Sequence, residues 1–173
     1  MANNPPIEPI KVVANILQAR LGLKDEQVML YNQKIDIPPD ERLYLVLAVL
    51  GSKTFATKTK YENDPVSDVL TEVQTTNRQE IYSIRMRSWS NEARTRNWEV
   101  SPALKSTLAQ QQMEQASISI GYLPTSMNDI SRLEGTAILN EYALTIRALV
   151  SYEIGQPVDY FGQFATPQIS SNP

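Results

Sequence analysis

The chain has 173 residues, of which 42 % are hydrophobic and 20 % charged, with a formal net charge of −3. That is enough chain to bury a core as one domain, and the balance excludes a disordered polyelectrolyte. Cysteine and histidine are both absent. Disulfides, thiol nucleophiles, cysteine–zinc sites, Ser-His-Asp chemistry and imidazole metal sites are thereby excluded, and no cofactor or metal is expected.

No apolar run is long enough to span a membrane. The opening MANNPPIEPIK lacks the basic-then-apolar layout of a secretory signal, so the chain is expected in the cytoplasm where it is made. Residues 78–105 hold six basic and three acidic side chains and form the one basic segment. The plain reading of such a segment is a solvated surface.

Met1 to Glu8, rich in Asn and Pro, reads as a flexible arm. Pro9 suits a first helical turn, and Ile10, Val13, Ile16, Leu17 and Leu21 make an apolar stripe. The spacing predicts a helix from Pro9 to Leu21, stopped near Gly22. Gln27 to Asn32 is a short strand candidate, and Ile37 to Asp40 a turn or extended connector. Arg42 to Gly51, almost unbroken and apolar, predicts a central strand covered on both faces. Ser52 to Asp68, with Lys53, Lys58 and Lys60 among threonines and aromatics, reads as a hairpin arm or exposed loop whose lysines blunt an edge.

Val69 to Thr76 and Gln79 to Ser90 predict two antiparallel strands joined near Asn77. In the second, Tyr82, Ile84, Met86 and Ser88 face the core, while Ile81, Ser83, Arg85, Arg87 and Trp89 face outward. Asn91 to Ala116 is helical in character, with Trp98, Ala103, Leu104, Leu108 and Met113 as its buried stripe. Ser101-Pro102 either kinks that helix or starts a second one. Ile118 to Leu123 reads as a strand and Pro124 to Asn128 as a loop.

The stretch Asp129 to Glu153 organises the rest. A polar corner, Asp129 to Gly135, precedes an unbroken run from Thr136. Period two puts Ile138, Tyr142, Leu144, Ile146, Val150 and Tyr152 on one face, and β-favouring residues select a strand, although three-and-four spacing also fits a helix in part. The tail Gly155 to Pro173 carries Tyr160, Phe161 and Phe164 and has no core of its own. The predicted fold is a single α+β domain with a largely antiparallel sheet and helices packed on one face.

Chemistry is sparse. Phosphate-binding, dinucleotide and nucleophile-elbow glycine motifs are absent. Glu134 with Glu141 or Glu153, and Asp36 with Asp40 and Glu41, are carboxylate groupings better explained by solvation or ion pairing than by catalysis. Arg85, Arg87, Arg94 and Arg96, beside Trp89 and Trp98, leave non-specific contact with passing DNA open without any sequence-reading motif.

In order and spacing, RLYLVLAVLGSKTF, RQEIYSIRMRSWS, NEARTRNWEVSPALKS, ISIGYLP and DISRLEGTAILNEYALTIRALVSYE resemble the neck and tail-terminator proteins of long-tailed bacteriophages, most like those of contractile-tailed phages. The resemblance covers Arg42 to Phe161. The family pattern often carries arginine where this chain has Glu141, which puts an inter-subunit salt bridge there in doubt.

The resemblance implies a structural virion protein and not an enzyme. It implies a ring of identical subunits, usually a hexamer, at the head-proximal end of the tail tube. Such a ring ends tube polymerisation and joins the tail to the head connector, and genomic DNA passes through its lumen. The implied partners are further copies of the chain, the tail tube protein, the tail sheath and a connector or neck protein, with no membrane. Another neck ring, for head completion or a connector collar, is the alternative, and a small enzyme or ligand-binding domain a more distant one. The expected interface residues are Arg85, Arg87, Trp89, Asp129, Arg132, Glu134, Tyr160 and Phe161.

Overall fold

The computed structural model describes residues 8–30, 38–64 and 69–158. The expected flexible arm before Glu8, the end of the Gln27–Asn32 strand, Asp36, and the tail aromatics Tyr160, Phe161 and Phe164 lie outside the described residues, apart from Glu8 itself.

Helix α1 spans Pro9–Leu21, as its stripe and flanking residues predict. Pro9 begins it, and Gly22 ends it at φ 65°, a left-handed conformation that lets its N–H reach the Gln18 carbonyl. A short strand β1, Val28–Leu30, follows, and then β2, Tyr44–Asp64, and β3, Val69–Ser88. Helices α2 (Glu92–Arg96), α3 (Val100–Lys105) and α4 (Thr107–Gln115) come next. The chain closes with β4 (Ile118–Tyr122), β5 (Asn128–Asp129), β6 (Arg132–Glu134) and β7 (Ala137–Val158).

The fold is α+β with a mostly antiparallel mixed sheet. Its main order is β1-β2-β3-β7-β4, with β5 and β6 also on β7. Among the described residues only β1 against β2 is parallel. Tyr82, Ile84 and Met86 of β3, Leu45 and Leu47 of β2, and Leu144 and Ile146 of β7 pack with Val13, Leu17, Val100 and Leu104 of the helices in one buried cluster. Alternation therefore assigns the core face of β3 correctly.

Four expectations need correction. β3 is one strand of 20 residues, without a turn at Asn77. The segment has neither Gly nor Pro, and Asn77 accepts a hydrogen bond from the Ser151 hydroxyl at 2.6 Å as an ordinary cross-strand neighbour. The Arg42–Gly51 strand is not covered throughout: Leu43 to Leu47 are buried, while Val49 and Leu50 are exposed. Trp98 and Leu108, expected in the core, are 63 % and 51 % exposed. A 3-10 turn at Asn97–Glu99 and a break at Ser106 interrupt the helical phase, and Ser106 caps α4 through Ala109 N–H at 3.3 Å. Pro102 sits in the first turn of α3, where its missing N–H costs nothing.

The fourth correction concerns β7. The strand exists, and its alternation holds from Tyr142 to Val150. At its start, however, Ile138 is 58 % exposed and Leu139 is buried on the opposite face. That face carries a second, smaller buried patch. Tyr44, Val46, Leu139 and Glu141 are all buried there, and Asp40 accepts from the Tyr44 hydroxyl at 2.8 Å.

Three strands outrun the domain. A run of 22 residues in β7 is on the order of 70 Å long. The helix-covered core reaches Val150, with Tyr152 half-buried beside it, and leaves the rest of the strand outside. From Ala56, Asn77 and Ser151 outward, the strands β2, β3 and β7 continue as a three-stranded arm with β3 in the middle.

Candidate assembly interface

Three regions are available for contact: the face around Glu141, the hairpin that opens β7, and the arm.

Register places Arg87 of β3 beside Glu141 of β7, with Arg85 next along. Both guanidiniums approach the same carboxylate, at 3.5 Å each. Glu141 is 3 % exposed, so the carboxylate is desolvated and depends on these two cations. Arg85 and Arg87, predicted to look outward to solvent or a partner, do face away from the helices, and they turn onto Glu141. They remain partly exposed, and the buried Arg87 Nε has no hydrogen bond. One carboxylate against two guanidiniums leaves the patch with a positive excess.

Backbone and side chain hold Glu141 in place. Its N–H donates to the Ser131 hydroxyl at 3.1 Å, and its carbonyl accepts from Ile130 N–H at 2.9 Å. Asp129, in the corner, accepts from the Ser131 hydroxyl at 2.6 Å and from Tyr142 at 3.2 Å. The bonds from Ser131 hold the Asp129 carboxyl below the ordinary carboxylate range, while burial pushes the Tyr142 hydroxyl up. The corner is thus a set of local ties that turns the chain into β7.

Arg132 and Glu134 pair with each other at 2.6 Å in the exposed hairpin, which turns at Gly135 with φ 64°. Trp89 follows the end of β3 and is half-buried. The structure therefore gathers Arg85, Arg87 and Glu141 into one cluster and Asp129 onto Tyr142. It leaves Arg132 and Glu134 as a separate surface pair. Leu133 and Ile138, cross-strand partners in that hairpin, are 71 % and 58 % exposed.

Where the core ends and the arm begins, Glu80 lies buried on the helix-facing side. It accepts from Tyr82 at 2.5 Å and from Tyr152 at 3.1 Å. Arg78 lies over the Tyr152 ring at 5.7 Å and donates to the Ser52 hydroxyl at 2.6 Å. Burial raises both tyrosines, Tyr152 to about 12. No motif in the sequence marks this cluster. Its signal was Glu80 standing in phase with Tyr82, Ile84 and Met86, a carboxylate on a core face.

The carboxylate groupings considered for catalysis are held in other ways. Glu141 is clasped by arginines, Glu134 pairs with Arg132, and Asp40 bonds Tyr44 and Arg42. An open cleft of about 780 Å³ between α1, α4 and the β7 edge is lined by Asn15, Gln112 and Gln115 among small and apolar residues, and it brings no two carboxylates together. Among the described residues no group of acidic side chains is arranged to hold a metal ion, and no helix is long and apolar enough to cross a membrane.

Among the described residues, neither flank of the arm has a strand partner. β1 pairs β2 only over Leu45–Leu47, so the β2 edge from Ala48 outward has no strand partner among the described residues. On the other side, β4 to β6 and the Ser117 carbonyl cover β7 as far as Ser151, and beyond it the edge has no strand partner among the described residues. Compared with the models of known protein families and with curated proteins, the chain matches none of either.

Proposed function

We propose that this chain is a structural subunit that closes with its own copies into a ring, in the manner of the tail-terminator proteins it resembles. The observation that carries the reading is the arm, a three-stranded ribbon with no strand partner on either flank among the described residues. A ribbon this narrow and exposed gains stability when neighbours complete its sheet. A subunit with two different open edges propagates from copy to copy, and rotational closure makes a ring. In a phage particle such a ring stands at the head-proximal end of the tail tube. It ends tube growth, meets the head connector and lets DNA pass through its lumen.

Deletion of the gene from its phage tests the reading. Overlong or uncapped tails, seen by electron microscopy and restored by the full chain, are the expected result. Normal capped tails beside heads that lose DNA would instead assign the chain to another neck ring.

A further inference from the structure

The two open edges of the arm match each other in height, direction and charge. Cross-strand partners define rows across the ribbon: Ala56 with Asn77 and Ser151, Lys58 with Thr75 and Glu153, and Asn63 with Leu70 and Val158. The open edge of β7, Ser151 to Val158, therefore stands level with Ala56 to Asn63 of β2. That part of β2 runs in unbroken register with β3, whereas the two β2 bulges, at Leu50 and Phe55, lie below it. They fall beside rows in which β7 already has β4 on its flank. Bulges obstruct edge pairing. β2 is thus irregular where β7 needs no partner and regular where β7 is open.

Direction follows from the same pairing. β2 and β7 are both antiparallel to β3, so both run from the core to the tip. When copies are related by rotation about an axis along the arm, β7 of one meets β2 of the next as a parallel pair. The β7 edge is equipped for that contact. Ser151 donates its N–H to Ser117 on the β4 side, and the alternation of a strand turns Glu153, Gly155 and Pro157 the same way. Pro157 contributes only its carbonyl.

Charge selects the partner. On the face away from the helices, β7 carries Glu153 at this height and β2 carries Lys58 and Lys60. Lys60 also pairs with Glu62, while Lys58 makes no ion pair among the described residues. Pairing either edge with itself would bring like charges together.

We propose that the ring joint is a parallel β7–β2 pair between arms, Ser151–Val158 of one copy against Ala56–Asn63 of the next, with Glu153 facing Lys58 and Lys60. This rests on the ring reading above and specifies its joint.

Native mass spectrometry of the full chain tests it with two variants, Glu153→Lys and the double variant Lys58→Glu with Lys60→Glu. All three side chains are exposed, and circular dichroism checks that each variant folds. Wild-type chain should form rings, and each variant alone should remain monomeric. An equimolar mixture should recover rings with an even number of subunits, because every joint then opposes unlike charges. Wild-type rings with variants that assemble alone, or with a mixture that stays monomeric, would overturn the joint and leave the ring standing. Wild-type chain that never assembles, alone or on tail tubes, would overturn both.

Discussion

Tyr82 donates its hydroxyl to the Glu80 carboxylate across 2.5 Å, and the pair stands where the helix-covered core gives way to the arm. With Tyr152 as second donor, the buried carboxylate is satisfied by two neutral phenols. Tyr82→Phe removes one of them and should cost about 1–3 kcal/mol in urea unfolding. A loss no larger than that of an exposed substitution would show that the carboxylate does not depend on this bond.

Tyr152 should make stability fall in alkali. Its folded value, about 12, lies above the ordinary value of 10.0. Burial and Glu80 favour the neutral phenol, so its contribution is complete below pH 10 and disappears as pH rises through 12. Urea midpoints measured over this range should fall for the wild type and fall less for Tyr152→Phe.

Asp129 acts at the other end of the scale. Ser131 and Tyr142 favour its ionised form, so its folded value is lowered. Its stabilising contribution is present above the ordinary carboxylate value and is lost as pH falls through the lowered one. Asp129→Asn should flatten the acid limb of the stability profile, measured by thermal unfolding against pH.

The Glu141 cluster makes a sharper demand. Replacing both Arg85 and Arg87 by glutamate would set three carboxylates together, one of them buried. The monomer itself should then be destabilised, before any loss of assembly. Arg87→Ala alone should cost about 1–3 kcal/mol, since Glu141 keeps Arg85. A double-glutamate chain as stable as wild type would contradict the described clasp.

The helical segment separates core from surface within four residues. Leu104, 1 % exposed, should cost about 2–5 kcal/mol when replaced by alanine. Leu108, 51 % exposed, should change stability by no more than about 0.5 kcal/mol. Equal losses in denaturant unfolding would mean that the helices pack by a different face.

Local chemistry made much of this readable beforehand. Pro9, the apolar stripe and Gly22 delimit α1 because each governs its own turn. Tyr82, Ile84 and Met86 reveal the core face of β3 because one cover lies over all of them. Alternation misleads at Ile138 and Leu139, where the buried side of the sheet changes, and periodicity does not record which side has a cover. A single helical phase misplaces Trp98 and Leu108, because a 3-10 turn and a break interrupt it. The clasp of Arg85 and Arg87 on Glu141 is not legible in the sequence, because Glu141, 54 residues or more away, becomes adjacent only through the β3–β7 register.

The central claim is that copies of the chain complete the open flanks of the arm. Hydrogen–deuterium exchange of the full chain at rising concentration, with oligomer mass recorded on the same samples, tests it most directly. The edge-facing amides, those of Glu153 and Gly155 on β7 and those of Ala56–Asn63 that point away from β3, should exchange quickly in the monomer and slow together as one closed species forms. A chain that stays monomeric at every concentration, with these amides already protected, would contradict it.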